Sequence, residues 1–335
     1  MSAPSPQQQV VQMISAYWIS QAISVAATLG VADELGVKGP RSADELAVAA
    51  RCHAPSLHRL LRALASVGLF TEDADHRFAL TPLGECLREG VPGSQRAQAI
   101  QACAEAYRAF GELLHSVRTG ETGFAKVFGA SFFDYLVQHP EQARRFDDSM
   151  VELYGRETAA MLDAYDLADI GVLADVGGGN GSLLTAALQR HPALRGILVD
   201  RPDVVARAAP GLRAAGVADR CQLVGGDFFE SVPAGGDVYL LRHILHDWND
   251  AQCTRILGNV RRAMAPHGRV LVAESVIAPG NEPSYTKLLD LTMLVVLGGQ
   301  ERTQADYERL FSASGLRLAR VVPTRADVSV LEARA

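Results

Sequence analysis

The sequence predicts an α/β chain: a Rossmann-like, mostly parallel sheet with an antiparallel last strand, behind an α-helical N-terminal region of winged-helix pattern. Three observations predict it. From residue 170 onward, short apolar runs alternate with amphipathic helices, the rhythm of a parallel sheet covered on both faces. Before residue 165 the pattern is almost wholly helical, broken by one helix–helix–hairpin passage. The tail "LRLARVVPTRADVSVLEAR" reads as two strands around a turn, which makes the final pairing antiparallel. We expect three regions: a winged-helix-like dimerisation domain over 1–105, a helical connector lining a substrate pocket over 106–165, and a ligand-binding catalytic domain over 166–335.

In chain order, residues 8 to 36 repeat apolar side chains at three- and four-residue steps, from Val10 and Met13 through Trp18 to Leu29, and predict a helix. Its apolar stripe is wide and nearly uncharged, which suits either packing on a second subunit or burial in its own chain. Ser42 and Glu45 fit a capping box at the next helix. "APSLHRLLRALASVGLF" gives another helix, with Pro55 near its start and Gly68 at its stop. "LFTEDADHRFALT" reads as a hairpin, and Thr81-Pro82 opens a further helix. This order matches a winged helix-turn-helix. The candidate recognition helix, however, carries only His58, Arg59 and Arg62 beside a broad leucine face, too thin a basic surface for DNA.

Bulk properties exclude several classes. A formal net charge of −6 over 335 residues argues against nucleic acid as a partner, because phosphate binding needs a basic face. Five scattered cysteines without a CxxC spacing read as reduced thiols in a cytoplasmic protein. "MSAPSPQQQVV" lacks the basic and apolar regions of a signal peptide. The longest apolar stretches, such as "ISVAATLGVA", read as too short and interrupted to span a membrane.

In an open α/β sheet, ligands sit beyond the carboxyl ends of the strands. Those ends carry Asp175, Asp200, Asp227, His246 and Glu274. Gly177, Gly178, Gly179 and Gly181 let the chain turn sharply and approach a ligand. The dinucleotide pattern G-x-G-x-x-G fails here, since its last position holds Ser182 or Leu184. Asp175, two residues before the glycines, would repel a pyrophosphate but welcome a cation. S-adenosylmethionine, with an ammonium, a sulfonium, a ribose and an adenine, fits such a row of acids. Asp200 suits the ribose hydroxyls; Asp227 and Phe228 suit the adenine amino group and ring face. Arg201, beside the ribose acid, is the residue that could instead serve a 2′-phosphate.

"RHILHDWND" puts His243 and His246 three apart. In a strand that offset places them on opposite faces, so they do not converge on a metal, and no metal site is predicted. His243 reads as a packed core histidine. His246, at the strand end, suits a general base for a hydroxyl proton. Asp247 could orient it, or could cap the helix beginning near Asn249.

"DVGGGNG", "VD" at 199–200, "GGDFF", "RHILHDW", "VLVAES" and "GGQERT" resemble, in order and spacing, the small-molecule O-methyltransferases of the caffeic-acid, hydroxyindole and bacterial aromatic-polyketide types. The resemblance implies a class I S-adenosylmethionine-dependent enzyme, a homodimer built through the N-terminal region, and an aromatic small molecule with a phenolic hydroxyl as acceptor. It implies that His246 is the general base, flanked by Glu274 and Glu301. It also implies cofactor contacts from Gly177, Asp200, Asp227, Phe228 and Arg242, and acceptor or methionine-tail contacts from Phe146, Met150 and Met293. Other readings stay open: the same fold and cofactor redirected to hydroxylation, decarboxylation or pericyclic chemistry, an NAD(P) oxidoreductase, or a ligand-sensing DNA-binding regulator.

Overall fold

The computed structural model describes residues 4–335, which divide into two compact units. One comprises the residues up to Arg108 together with Leu136–Leu153; the other comprises Ala109–Tyr135 and Tyr154–Ala335. The expected separate connector over 106–165 is therefore shared out between them. Its long helix, Pro140–Ala164, supplies residues to both.

In the N-terminal unit, the expected helix over 8–36 is two helices, Pro6–Thr28 and Val31–Lys38. Gly30, at φ 65°, breaks them, a left-handed conformation that glycine adopts without steric cost. Ser5 caps the first through a capping box with Gln8, and Ser42 caps Ala43–Ala50 through one with Glu45. Helix Ala54–Ser66 follows, then strands β2 (Phe70–Glu72) and β3 (Arg77–Leu80), which pair with the two-residue β1 (Arg41–Ser42) in the order β1-β3-β2. Leu57, Leu61 and Leu64 of that helix pack with Phe70 and Phe78 of the hairpin in one small core.

Pro6–Thr28 contains no charged residue and buries only Ala26 and Ala27. Met13 is 73% exposed, Ile14 67% and Trp18 63%. By length and composition this helix is apolar enough to cross a membrane.

The C-terminal unit is a seven-stranded sheet in the order β6-β5-β4-β7-β8-β10-β9. Its strands are β4 (Val172–Val176), β5 (Arg195–Asp200), β6 (Cys221–Gly225), β7 (Val238–Arg242), β8 (Arg269–Glu274), β9 (Arg317–Pro323) and β10 (Ser329–Arg334). Pairings from β6 across to β8 are parallel, whereas β10 runs antiparallel to both β8 and β9. Alternate residues feed two cores: Tyr239, Leu241, Val270 and Val272 on one face, Leu240, Leu271 and Ala273 on the other. That is the period-two pattern of strands buried on both sides. The chain winds outward from β4 to β6, then crosses back to β7. The reversal between β4 and β7 is the topological switch point, where the crevice at the strand ends opens.

Candidate active site

Two loops meet at this switch point. After β4, Gly177, Gly179 and Gly181 all take positive φ, at 73°, 59° and 74°. Gly177 N–H and Gly178 N–H donate to the Val199 carbonyl, at 2.7 and 3.3 Å. A Cβ on Gly177 would lie 2.4 Å from Ile244 Cδ1 and 3.5 Å from Phe228 Cε1, so this glycine lets three segments close together.

Asp175 is buried, and its Oδ2 has no hydrogen-bond partner among the described residues. Burial pushes its carboxyl up to about 6, with Arg242 opposing the rise. An acceptor-only oxygen without a donor is costly unless a ligand supplies one. Asp200 Oδ2 accepts from Gly179 N–H at 2.8 Å and its Oδ1 from Arg201 N–H at 2.7 Å. These two contacts tie the carboxylate to the glycine turn and shape the loop. Asp227 Oδ1 accepts from Phe229 N–H at 2.8 Å. Arg201 lies in a two-point pair with Asp203, at 3.2 and 3.1 Å, and reaches the Phe133 carbonyl. Arg242 donates to Thr158 Oγ1 at 2.7 Å.

The second loop follows β7. The strand stops at Arg242, His243 turns at φ 52°, and Leu245–Asp247 forms a short 3₁₀ turn. Strand alternation therefore does not extend to 246, and the two imidazoles, expected on opposite faces, lie with ring centroids 5.1 Å apart. His243 stacks on Tyr154 at 3.8 Å and its Nε2 meets Glu157 Oε2 at 2.6 Å. Burial, then His246 and Arg242, hold His243 well below the ordinary imidazole range.

His246 is buried. Its Nδ1 lies 2.7 Å from Glu301 Oε1 and its Nε2 3.4 Å from Asp247 Oδ1. A carboxylate only accepts, so Nδ1 carries the proton in this contact. Burial alone would lower the imidazole, but Asp247, Glu301 and Glu274 outweigh it and push His246 up to about 10. Burial likewise raises Asp247 to about 7, against the attraction of His246.

Glu274, the other acid expected beside the imidazole, lies beneath the turn and adds to the charge that raises His246. Its Oε1 accepts from the backbone N–H groups of Ile244, Leu245 and His246 at 3.1, 2.6 and 3.3 Å, and Tyr307 donates its hydroxyl to Oε2. Asp247 does not cap the following helix: Asn249 caps Asp250–Ala263 through a box with Gln252. That leaves Asp247 beside the ring.

Sequence reasoning missed the groups that hold this turn. Arg302 is 1% exposed and donates to the Leu245 and Trp248 carbonyls at 2.8 Å each. Gly299 packs so tightly that a Cβ would lie 2.0 Å from the His246 carbonyl oxygen. Both sit inside "GGQERT", so the signal was present without a role attached. Met293 is buried at the start of the π-helical stretch Met293–Leu297. Phe146 and Met150 belong to the N-terminal unit rather than to the unit that carries His246.

The fold and site define a class of enzyme. Residues 110–317 match the O-methyltransferase domain and residues 11–90 the O-methyltransferase dimerisation domain. The chain belongs to the S-adenosylmethionine-dependent O-methyltransferase family. It is 48% identical to phenazine O-methyltransferase PhzM of Lysobacter antibioticus, over 97% of this chain and 95% of that one. It is 33% identical to the phenazine-1-carboxylate N-methyltransferase of Pseudomonas aeruginosa, over 97% and 96%. Among solved structures, NcsB1 from neocarzinostatin biosynthesis, in complex with S-adenosylmethionine and 2-hydroxy-5-methyl naphthoic acid, superposes with a TM-score of 0.85. It is 37% identical, covering 94% of this chain and 95% of that one.

The packing at Gly299 yields a test with opposite signs at two glycines. Gly299→Ala should lower the unfolding free energy by about 1–3 kcal/mol in urea titration, the usual cost of overpacking. Gly258→Ala, in a helix with only the end of Arg262 nearby, should be neutral or stabilising by up to about 1 kcal/mol.

Proposed function

We propose that this enzyme methylates a phenolic hydroxyl on an aromatic secondary metabolite, with His246 as the general base. The observation that carries the reading is the buried imidazole at the switch point, its Nδ1 tied to Glu301 and Asp247 beside its Nε2. When bound, S-adenosylmethionine supplies a methyl group on a positively charged sulfur. The Asp175 carboxylate, whose Oδ2 has no partner among the described residues, suits a cationic ligand, and Asp200 and Asp227 suit its hydroxyl and amino donors. The cofactor would give up that methyl group and keep the sulfur, and His246 Nε2 would take the acceptor's hydroxyl proton. Glu301 keeps the ring in the one tautomer that presents Nε2; Glu274 and Arg302 hold the turn that carries it.

An imidazole raised to about 10 holds a proton about as tightly as a free phenol, whose pKa is about 10. At neutral pH such an imidazole is protonated, so it can take the acceptor's proton only in complexes that have already lost one. Phenol facing imidazole and phenolate facing imidazolium are the same complex with its proton on either side. Below both pKa values one proton too many is present, so kcat/KM should rise with pH.

Methylation at nitrogen, as in the name of the Pseudomonas relative, is the second reading. A ring nitrogen with a lone pair needs no base, and the His246–Glu301 pair therefore favours oxygen. The pairing of Arg201 with Asp203 speaks against a 2′-phosphate at the ribose site. The free cysteines suit a cytoplasmic enzyme. We further propose a homodimer, supported by the matched dimerisation domain and by the uncharged, exposed face of Pro6–Thr28.

His246→Ala should leave S-adenosylmethionine affinity intact in calorimetry. Turnover of a panel of phenols, hydroxynaphthoates and hydroxyphenazines should fall about 10²–10⁴-fold. Undiminished turnover, or affinity lost with turnover, removes the base from His246. Replacing Ile14 and Trp18 together by Glu should halve the mass seen by light scattering; a mass that stays at two chains, or a wild-type mass of one, contradicts the dimer face.

A further inference from the structure

The N-terminal unit holds a second group of chemistry-bearing side chains that methyl transfer does not use. His58 projects from helix Ala54–Ser66, Glu72 ends β2, and His76 sits in the turn before β3. His58 Nε2 lies 3.7 Å from Glu72 Oε1, and His76 Nδ1 lies 2.7 Å from the same oxygen. All three ligand atoms fall within 4.8 Å of one another. We propose that His58, Glu72 and His76 form a binding site for zinc, or for a divalent ion of the same ligand preference, that clips the hairpin to the helix.

Geometry and chemistry both support zinc. It takes imidazole nitrogen and carboxylate oxygen at about 2.0–2.2 Å in a tetrahedron, so neighbouring ligand atoms stand roughly 3.3 Å apart. The two separations here bracket that value. Two imidazoles and one carboxylate suit zinc, nickel or copper rather than calcium or magnesium, which prefer oxygen alone. Three protein ligands leave one position for water.

The ligands are also held in place. The His58 ring stands edge-on to Phe78 at 5.6 Å, on the small core of this unit, and edge-on to His76 at 5.7 Å. His76 adopts φ 57°, a left-handed conformation uncommon outside glycine and its few tolerant neighbours. The turn that imposes it is fixed by Asp73, whose Oδ1 accepts from the Asp75 and Arg77 N–H groups at 2.9 Å each. The backbone thus aims Nδ1 at Glu72 although the His76 side chain is 75% exposed. The exposed ring gives an ion access from solvent. A bound ion would add a tie between the helix and the hairpin, over the leucine–phenylalanine packing beneath them.

The test uses the full, tag-free chain titrated with zinc sulfate by calorimetry. We expect one zinc per chain, and a rise in the thermal unfolding midpoint when zinc is added. His76→Asn keeps a side chain that tolerates the left-handed turn and removes the ligand. It and Glu72→Gln should each weaken binding by at least the roughly 10–100-fold that losing even an outer-shell partner costs, and abolish the thermal shift. His191→Ala, elsewhere in the chain, should change neither. Absence of saturable uptake by the wild type overturns the site. So does uptake unchanged in His76→Asn, which would assign the zinc to the cysteines or other histidines.

Discussion

The buried carboxylate of Glu274 fixes where everything else in the site can be. Three consecutive backbone N–H groups, from Ile244, Leu245 and His246, turn inward at the end of β7 and converge on one of its oxygens. Unpaired, each buried N–H would cost about 1–3 kcal/mol. A buried carboxylate without donors would cost more. Neither partner can leave without stranding the other. The carbonyl side of the same turn is held by Arg302, whose guanidinium reaches Leu245 and Trp248. Gly299 lets the chain after the π-helical stretch press directly against it. The turn that carries His246 is thus clamped from three directions before any ligand arrives.

Charge in this small volume is unevenly matched. Asp247, Glu274 and Glu301 face one imidazole and one guanidinium. The imbalance appears in the ionisation of the group between them: the acids drive His246 upward despite its burial, and burial drives Asp247 and Glu274 upward in turn. A cluster of this kind contributes little to stability. Its cost is consistent with a site arranged for chemistry, since groups with strongly shifted ionisation gather where protons move. His243, a few ångströms away, is pushed in the opposite direction, so neighbouring imidazoles in one loop hold different charge states.

Much of this was legible in the sequence where periodicity or spacing has a local cause. The strand–helix rhythm, the antiparallel tail, the capping boxes at Ser42 and the glycine turn after β4 all follow from short-range rules. The readings that changed involve an element ending where the local pattern suggested it continues. His243 and His246 were assigned to opposite faces because alternation was carried past Arg242. The first helix was drawn through Gly30 because its apolar steps continue beyond it. Asp247 was a candidate cap until Asn249, two residues on, took that role. Glu274 was recognisable as an acid at a strand end, but its task depends on backbone groups 28 to 30 residues away. No periodicity encodes such a contact. Arg302 and Tyr307 were silent for the same reason: a buried guanidinium and a surface one look alike in a sequence.

The charge of one imidazole tests this picture most directly. Nitrogen-15 NMR of His246, recorded across the alkaline range, reads both its tautomer and its proton. The geometry predicts an imidazolium through neutral pH that releases its proton near pH 10, and at distinctly lower pH in Glu301→Gln. An imidazole already neutral at pH 7, unmoved by that substitution, would mean that the surrounding acids do not govern it.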